Sequence, residues 1–216
     1  MTKISKRLKA IAEFVNKKDT LVDVGCDHGL LGIYLVEKNK VKKVIASDIN
    51  QNALNSAIRN IKKRNMNIET VLSDGVKDIN LKGINTLVIS GMGTSTILHI
   101  LENSEKIKNI QKLIIQSNND HELLRSKMNE KGYFLEDESY TYDKNKWYVT
   151  CKFVKSNEKN TDIQIKYGFL SNSDYNNYML QYEKSILKKI PFTAIRVKLM
   201  ALKKLNQLKK AILSQK

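Results

Sequence analysis

Short apolar segments alternate with amphipathic segments over the first two thirds of the chain, and this alternation restricts the fold more than any other feature. Residues 20–25 form an apolar, β-branched run that ends at glycine, which is typical of a strand buried on both faces. The segments between such runs place apolar residues three or four positions apart, which indicates helices. Strands separated by helices need crossover connections, so the pattern predicts an α/β fold with an open, largely parallel sheet.

Five parallel strands and five helices are predicted in this part of the chain. The strands cover residues 20–25, 42–48, 68–74, 84–90 and 111–117. The helices cover residues 4–15, 30–38, 50–65, 94–103 and 120–132. Two alternating segments around residues 143–145 predict an antiparallel hairpin at one edge of the sheet. Ligands bind such sheets beyond the carboxyl ends of the strands, so the loops after the strands form the candidate site.

The pattern changes after a polar stretch at residues 156–162. Two segments with helical spacing flank Pro191, which predicts an antiparallel helical hairpin or a short coiled coil. We therefore expect a Rossmann-type domain over residues 1–155 and a helical, coiled-coil-like domain over residues 163–216. One face of the first tail helix carries Tyr175, Tyr178 and Tyr182. This face packs within the hairpin, covers the α/β domain or forms a dimer seam; we expect a monomer, with a dimer as the alternative.

The chain is strongly basic, with 38 lysine and arginine residues against 22 acidic residues and a formal net charge of +16. The excess is +4 over residues 1–19, +2 over residues 20–150 and +10 over residues 151–216. Basic ends around a nearly neutral centre favour a nucleic-acid partner that the ends hold and the centre processes. The alternative is a lysine-rich composition whose lysines are merely solvated. The candidate RNA-binding cations are Lys6, Arg7, Lys188, Lys189, Arg196, Lys198, Lys203 and Lys204.

The sequence disfavours membrane, secreted and metal-binding proteins. No apolar run approaches the ~18 residues of a membrane span, and no apolar signal core follows the basic start. Two cysteines, Cys26 and Cys151, cannot build a disulfide framework or a four-cysteine zinc site. We therefore expect no membrane or metal partner and a location in the reducing cytoplasm.

The loop after the first predicted strand carries a cofactor signal. It reads Asp23-Val24-Gly25-Cys26-Asp27-His28-Gly29. A nicotinamide fingerprint needs glycines where Asp27 and Leu30 stand, so the loop does not match it. It resembles instead the acidic-x-G-x-x-x-G loop of Rossmann-type methyltransferases, whose glycines let the backbone approach the methionine part of S-adenosylmethionine. The alternative is a tight strand-to-helix turn that favours glycine for its own geometry.

Acidic residues also follow the second and third predicted strands. Asp48, followed by Ile49, lies 23 residues after Gly25, the spacing at which a carboxylate accepts the ribose hydroxyls of an adenosine cofactor. Asp74-Gly75 is similar in position to the methyltransferase residues that bind the cofactor's adenine amine. The alternatives are a carboxylate at a helix N-terminus for Asp48 and an ordinary turn for Asp74-Gly75.

The loop after the fourth predicted strand is expected to face the substrate's reacting atom. It reads Ser90-Gly91-Met92-Gly93. It lacks the N/D-P-P-aromatic motif of enzymes that methylate exocyclic amines, and it lacks the Pro-Cys pair used for covalent attack on a pyrimidine. Cys26 and Cys151 are therefore interpreted as structural residues.

Several segments together resemble the bacterial family that methylates N1 of the adenine at position 22 of tRNA. The segment DVGCDHGLLGIYLV is similar to that family's D-x-G-x-D-H-x-x-L-P-I-x-L loop, and SDGV, ISGMG and IIQSN are similar to its later motifs. RSKMNEKGYFLEDE resembles its L-R-x-x-L-x-x-x-G-Y-x-I-x-x-E segment, and the match continues into the tail. Gly32 and Ser117 replace prolines of the family, and Gly93-Thr94 replaces a glycine pair, which changes the loops on the substrate side.

The resemblance implies a Rossmann-type class I methyltransferase domain with a C-terminal helical hairpin, acting on tRNA with S-adenosylmethionine. It implies that Asp27, His28, Met92 and Asn118 surround the methyl group and the base, and Asp27, Met92 and Asn118 are the candidate catalytic residues. The candidate cofactor-binding residues are Asp23, Gly25, Asp27, His28, Gly29, Asp48, Ile49, Asp74, Gly75, Ser90, Gly91 and Met92. For Asn118, reading of the adenine edge and capping of the next helix are both open.

Methylation of adenine N1 fits these residues chemically. Neutral N1 is already nucleophilic, so transfer needs positioning more than a base. N1 lies on the Watson–Crick edge, so the adenine must unpair and enter a pocket. The alternatives are a methyltransferase of the same fold that acts on another RNA position or a small molecule, and a basic RNA-binding adaptor without activity.

Overall fold

The sheet contains the five predicted parallel strands and the two strands of the predicted hairpin. The computed structural model describes residues 2–102 and 105–214. Residue 103 of a predicted helix and residues 1, 215 and 216 of the predicted domains lie outside these ranges, as does residue 104. The strands are β1 (Thr20–Val24), β2 (Lys43–Asp48), β3 (Glu69–Leu72), β4 (Thr86–Met92), β5 (Lys112–Ser117), β6 (Tyr133–Asp143) and β7 (Lys146–Lys155).

The predicted helices are also present. They are α1 (Lys6–Glu13), α2 (Leu30–Glu37), α3 (Gln51–Lys63), α4 (Thr94–Glu102), α5 (His121–Glu130), α7 (Ser173–Lys189) and α8 (Ile195–Leu213). Two short elements were not predicted, a 3₁₀ turn at Glu105–Asn109 and helix α6 (Asp162–Tyr167). Helix α6 is too short for a helical period to stand out, but Thr161 and Gln164 form a capping box at its start.

The strand order is β3-β2-β1-β4-β5-β7-β6. Strands β1 to β5 are parallel, β7 runs antiparallel to β5, and β6 runs antiparallel to β7. Strand β2 lies on one side of β1, and β4 lies on the other side of β1. The strand order therefore reverses between β1 and β4. Such a reversal opens a crevice at the carboxyl ends of the strands. The predicted α/β fold with a terminal hairpin is confirmed.

The core of the sheet domain is apolar on the face that α1, α2 and α3 cover. Ile11 of α1 and Leu35 of α2 are fully buried, and they belong to one cluster with Leu21, Val88 and Ala57. Burial of such side chains contributes roughly 1.5–3 kcal/mol each. This cluster fixes α1, α2 and α3 against the sheet and thereby fixes the loops that precede and follow them.

The hairpin is held to α5 by a buried ion pair. Arg125 donates from Nε and Nη2 to Glu138 Oε1 at 2.9 and 2.6 Å, and both side chains are buried. The Tyr140 hydroxyl donates to the other oxygen of Glu138, and Cys151 Sγ lies 3.2 Å from Oε1. These hydrogen bonds to one buried carboxylate fix α5 beside β6 and β7.

The chain divides into two compact units, the first ending at Asn160 and the second beginning at Thr161. Asn160 belongs to the first unit because its side chain bonds both backbone groups of Leu135, at 2.8 and 3.3 Å. The second unit has a small core of its own, made of Tyr167, Leu170, Leu208 and Ala211.

Only the C-terminal half of the apolar stripe of α8 is buried in the second unit. Leu205 and Leu208 are buried, whereas Ile195 and Leu199 are 64% and 60% exposed. The sequence pattern therefore predicts the helix, but it does not predict where along the helix the packing ends.

Candidate active site

The loop between β1 and α2 adopts a conformation that depends on glycine. Gly25, Asp27 and Gly29 all have positive φ, at 74°, 50° and 68°. A β-carbon at Gly25 would lie 2.3 Å from Cε of Met92. A side chain at position 25 would therefore displace the methionine and fill the space between the two residues. The N–H groups of Gly25 and Cys26 both donate to the carbonyl oxygen of Ser47 at 2.9 Å, which fixes the loop on β2.

Gly29 has a different reason to be glycine. A β-carbon there would lie 3.1 Å from Cβ of Ala57, so the missing side chain lets the start of α2 approach α3. Gly32, which replaces a proline of the resembled family, is also tightly placed, since its β-carbon would lie 3.1 Å from Cγ1 of Val44. Both glycines serve helix packing, and neither lines the cavity described below.

Asp48 fixes the loop and faces the same crevice. Its Oδ2 accepts the N–H of Asp27 at 3.0 Å, and its Oδ1 accepts the N–H of Asn50 at 2.9 Å. The cap of α3 is the side chain of Asn50, so Asp48 is not the capping carboxylate. Each carboxylate oxygen can accept a second hydrogen bond, which leaves capacity for two hydroxyls.

A cavity of about 340 Å³ lies at the carboxyl ends of β1, β2 and β4. Eight of the twelve predicted cofactor residues line it: Asp23, Gly25, Asp27, His28, Asp48, Ser90, Gly91 and Met92. The structure therefore brings together the carboxyl ends of three strands that are far apart in the sequence, with the loop after β1. The lining also includes Leu30 and Leu31 of α2, which sequence reasoning missed because their apolar character looks like ordinary helix core.

The remaining predicted cofactor residues lie outside this lining. Ile49 is 67% exposed just after β2, and Leu72 at the end of neighbouring β3 is also exposed. Asp74 forms an ion pair with Lys77, and this hydrogen bond lowers the pKa of its carboxyl. Gly75 packs on α4, where a β-carbon would lie 3.0 Å from Cγ2 of Ile100. Ile49 and Leu72 are thus exposed apolar side chains near the carboxyl ends of β2 and β3.

Asp23 is the most perturbed acid of the site. It is only 3% exposed, and burial raises the pKa of its carboxyl from 3.8 to about 7. The Arg7 guanidinium opposes this rise and the Asp48 carboxylate adds to it. Burial also raises the pKa of the Cys26 thiol above its usual value, so Cys26 stays neutral beside these carboxylates.

Arg7 lies in the cavity rather than on the open face expected for an RNA-binding cation. Its Nη1 donates to Oε1 of buried Gln116 at 2.8 Å, and its backbone N–H donates to Oδ2 of Asp143 at 3.2 Å. Its Cζ lies 5.8 Å from the ring centroid of Tyr148. Sequence reasoning grouped Arg7 with Lys6 because both lie in the basic start, and the helical period alone does not separate their faces.

Asn118 is exposed and holds the carboxyl end of β4 rather than lining the cavity. Its side-chain amide donates to the carbonyl oxygen of Gly91 at 2.7 Å, and its N–H donates to that of Met92 at 2.9 Å. It does not cap α5, whose cap position is Asp120. It therefore connects the carboxyl ends of β4 and β5 beside the cavity.

The two departures from the family motifs in these loops contact each other. The hydroxyls of Thr94 and Ser117 lie 2.7 Å apart, and both residues are buried. The Thr94 hydroxyl also donates to the carbonyl oxygen of Asn119 at 2.6 Å. A hydrogen bond between side chains thus links the start of α4 to the end of β5.

The hairpin tip adds aromatic residues beside Arg7. The rings of Tyr142 and Trp147 lie 5.3 Å apart, and Lys146 Nζ lies 5.5 Å from the ring centroid of Tyr148. These residues lie at the carboxyl edge of the sheet, because Val149 pairs with Ser117 at the end of β5. An aromatic and basic surface of this kind suits nucleobases.

In the second unit, the predicted RNA-binding cations lie at the end of α7 and along α8. Lys188, Lys189, Arg196 and Lys203 are exposed. Lys204 is ion-paired with Glu183 at 2.7 Å, and Lys198 Nζ lies 4.6 Å from the ring of Phe192, which is 86% exposed.

Over residues 2–102 and 105–214, the structure shows no cluster of three or more histidine, cysteine or acidic side chains placed to hold a metal ion. In the same ranges, none of the helices combines the length and the apolar character needed to cross a membrane.

Comparison with known proteins adds to this geometry. Residues 4–151 match the family model described as a methyltransferase domain. The tRNA (adenine(22)-N(1))-methyltransferase of Bacillus subtilis is 32% identical over 149 residues, which are 68% of this chain and 63% of that protein. A putative tRNA methyltransferase of Mycoplasma genitalium is 31% identical over 65% of each chain. The sequence matches thus span less than two thirds of these curated relatives.

Solved structures resemble the whole chain. TrmK of M. capricolum, in complex with S-adenosyl-homocysteine, is 31% identical with a TM-score of 0.84 over 99% of both chains. Sp1610 of Streptococcus pneumoniae, in complex with S-adenosyl-L-methionine, is 26% identical with a TM-score of 0.87, over 97% of this chain and all of that chain.

Proposed function

The chain belongs to the methyltransferase domain family and, within it, to the family of bacterial tRNA (adenine(22)-N(1))-methyltransferases, and we propose that it methylates N1 of adenine 22 in tRNA with S-adenosylmethionine as the methyl donor. The observation that carries this proposal is the convergence of Asp23, Gly25, Asp48 and Met92 on one cavity. An adaptor that has lost its activity would have no reason to keep these residues together.

The cavity suits the cofactor. Gly25 leaves a space in the loop that a β-carbon would fill, and Asp48 retains acceptor capacity for ribose hydroxyls. The exposed side chain of Ile49, which follows Asp48 directly, offers an apolar contact for the adenine ring. When bound, S-adenosylmethionine supplies a methyl group on a positively charged sulfur.

The residues of this chain orient the reactants rather than move protons. Adenine N1 is a nucleophile in its neutral form, and holding two reactants in line contributes on the order of 7–11 kcal/mol. Met92 contacts the open side of Gly25, and Asn118 holds the backbone of Gly91 beside it, so both shape the space between cofactor and base. Cys26 stays a neutral thiol and supplies no nucleophile.

Unpairing of the adenine costs about a few kcal/mol, which contacts to the rest of the tRNA must offset. The exposed cations of the second unit and the aromatic hairpin tip of the first unit supply surfaces for phosphates and for bases. We also propose that the protein works in the cytoplasm and that it is a monomer. Light scattering of the purified chain tests the monomeric state.

The test is methylation of bulk tRNA followed by nucleoside mass spectrometry. The proposal predicts 1-methyladenosine and its loss when S-adenosylmethionine is omitted. Methylation at another atom of RNA, or of a small molecule only, supports the same cofactor site with a different substrate. Absence of S-adenosylmethionine binding in calorimetry contradicts the proposal altogether.

A further inference from the structure

The hairpin tip, residues 141–148, projects beyond the rest of the sheet. Strand β5 ends at Ser117, which pairs with Val149 of β7. Among the strands that the structure describes, only β6 pairs with residues 146–148, and three strand residues span about 10 Å. A two-stranded ribbon is only marginally stable by itself in water. The stability of the sheet therefore gives no reason for this projection.

The projecting segment carries aromatic rings on both of its faces. Tyr142 and Trp147, called the aromatic pair below, lie opposite each other on the two strands, with ring centroids 5.3 Å apart. Tyr148 lies on the other face, because successive residues of a strand alternate. Its ring is between two cations, 5.8 Å from Arg7 Cζ and 5.5 Å from Lys146 Nζ. A cross-strand pair stabilises a hairpin, but this role does not need Tyr142 to be 50% exposed.

The hairpin tip is next to the mouth of the cavity. Its acidic side chain, Asp143, accepts the backbone N–H of Arg7 at 3.2 Å, and Arg7 lines the cavity. Its two lysines, Lys144 and Lys146, are exposed. Neither ring of the aromatic pair lines the cavity. A base that stacks on the aromatic pair is therefore a different base from the one that enters the cavity.

We propose that the aromatic pair stacks on an unpaired tRNA base next to the adenine that enters the cavity; this inference rests on the proposed function. Removal of an adenine from its stack leaves the neighbouring bases without a partner on one side. An aromatic ring replaces that partner for any base, since every base has a π-face. The exposed Lys144 and Lys146 attract the adjoining phosphates. A second copy of this chain fits the tip less well, because two chains of net charge +16 repel each other.

The test uses Trp147 as its own probe, since it is the only tryptophan in the chain. Titration of the full chain with an unmodified tRNA transcript is expected to quench its fluorescence, because a base stacked on an indole ring quenches the emission. Trp147→Ala is expected to weaken tRNA binding by about five to a hundred times. The salt slope of binding is expected to stay the same, because no phosphate contact is lost. Binding of S-adenosylhomocysteine and turnover at saturating tRNA are expected to stay at the wild-type level.

Two further variants separate stacking from a general effect on the hairpin. Trp147→Phe keeps a ring at the same position and is expected to restore most of the tRNA affinity. Phe134→Ala removes a partly exposed ring from the opposite end of the same hairpin, where Phe134 pairs with Val154. This control is expected to change neither the tRNA affinity nor the salt slope.

Wild-type tRNA affinity in folded Trp147→Ala, or unchanged fluorescence at saturating tRNA, would overturn the stacking site and leave the proposed function intact. An equal loss of S-adenosylhomocysteine binding, or a dimer in light scattering that Trp147→Ala dissociates, would also overturn it. If Trp147→Ala does not fold by circular dichroism, Tyr142→Ala replaces it and the same losses are expected. Absence of both tRNA binding and methylation in the wild type would overturn the inference and the proposed function together.

Discussion

At the scale of one residue, burial of the Asp23 carboxyl makes the free energy of unfolding depend on pH. Because burial raises its pKa to about 7 in the folded state, the native protein keeps a proton there that the unfolded chain has already lost above about pH 4. The carboxyl therefore costs stability as the pH rises from about 4 to about 7. That cost is retained above pH 7.

Asp23→Asn is expected to remove this pH dependence. Relative to wild type, the variant should gain on the order of a few kcal/mol of unfolding free energy between pH 5 and pH 8. Urea unfolding at the two pH values measures the difference. Asp27→Asn is the control, because the Asp27 carboxylate is 70% exposed in the same loop. Parallel pH profiles for Asp23→Asn and wild type would show that Asp23 is not buried as the structure has it.

Asp48 is proposed to bind the ribose of the cofactor because it ends β2 and lines the cavity. Asp48→Ala is expected to weaken binding of S-adenosylhomocysteine by about tenfold to a hundredfold, since a charged hydrogen bond contributes roughly 1.5–3 kcal/mol. Calorimetry measures this, and a thermal melt checks that the loop it fixes through Asp27 and Asn50 still folds. Unchanged affinity in a folded variant would remove Asp48 from the site.

The elements of the fold were largely predictable because their signals are local. Apolar runs ending at glycine predicted β1, and alternation predicted the hairpin β6–β7. The contacts of the site were less predictable, since Arg7 and Gln116 lie 109 positions apart and meet only through the sheet order. Cysteine, leucine and arginine in the lining carry no pattern that distinguishes them from core or surface residues.

The contact between Thr94 and Ser117 is a further example of what single positions do not show. Each hydroxyl alone looks like a departure from the family motif, but together they join α4 to β5. A double-mutant cycle of Thr94→Val and Ser117→Ala is expected to give a coupling of about 0.5–1.5 kcal/mol in urea unfolding. Strictly additive effects would contradict a direct hydrogen bond between them.

At the scale of the whole molecule, the chain forms two compact units, and each has a core of its own. A chain that ends at Thr161 keeps Asn160, whose side chain pairs with β6, and lacks the helices α6 to α8. We expect it to bind S-adenosylhomocysteine as the full chain does and to methylate tRNA poorly. For every phosphate that the shortened chain no longer neutralises, the logarithmic salt slope of tRNA binding should decrease by about 0.7–0.9.

Calorimetry with S-adenosylhomocysteine and a salt series of tRNA binding compare the two chains. In the full chain, Lys188→Gln together with Lys189→Gln is the matched test of charge without truncation, since both side chains are exposed. Aggregation or loss of cofactor binding on truncation would favour the view that the tyrosine face of α7 covers another surface. Full tRNA affinity with an unchanged salt slope would contradict a role of the second unit in tRNA binding.

The most direct measurement of the central claim is the position of the methyl group in a single tRNA. A transcript with adenine at position 22 and the same transcript with guanine there are incubated with the protein and S-adenosylmethionine, and 1-methyladenosine is mapped by nuclease digestion and mass spectrometry. We expect 1-methyladenosine at position 22 of the first transcript, none in the second, and little in the first with Asp48→Ala. Equal methylation of both transcripts, or a modified base elsewhere, would contradict the proposed function.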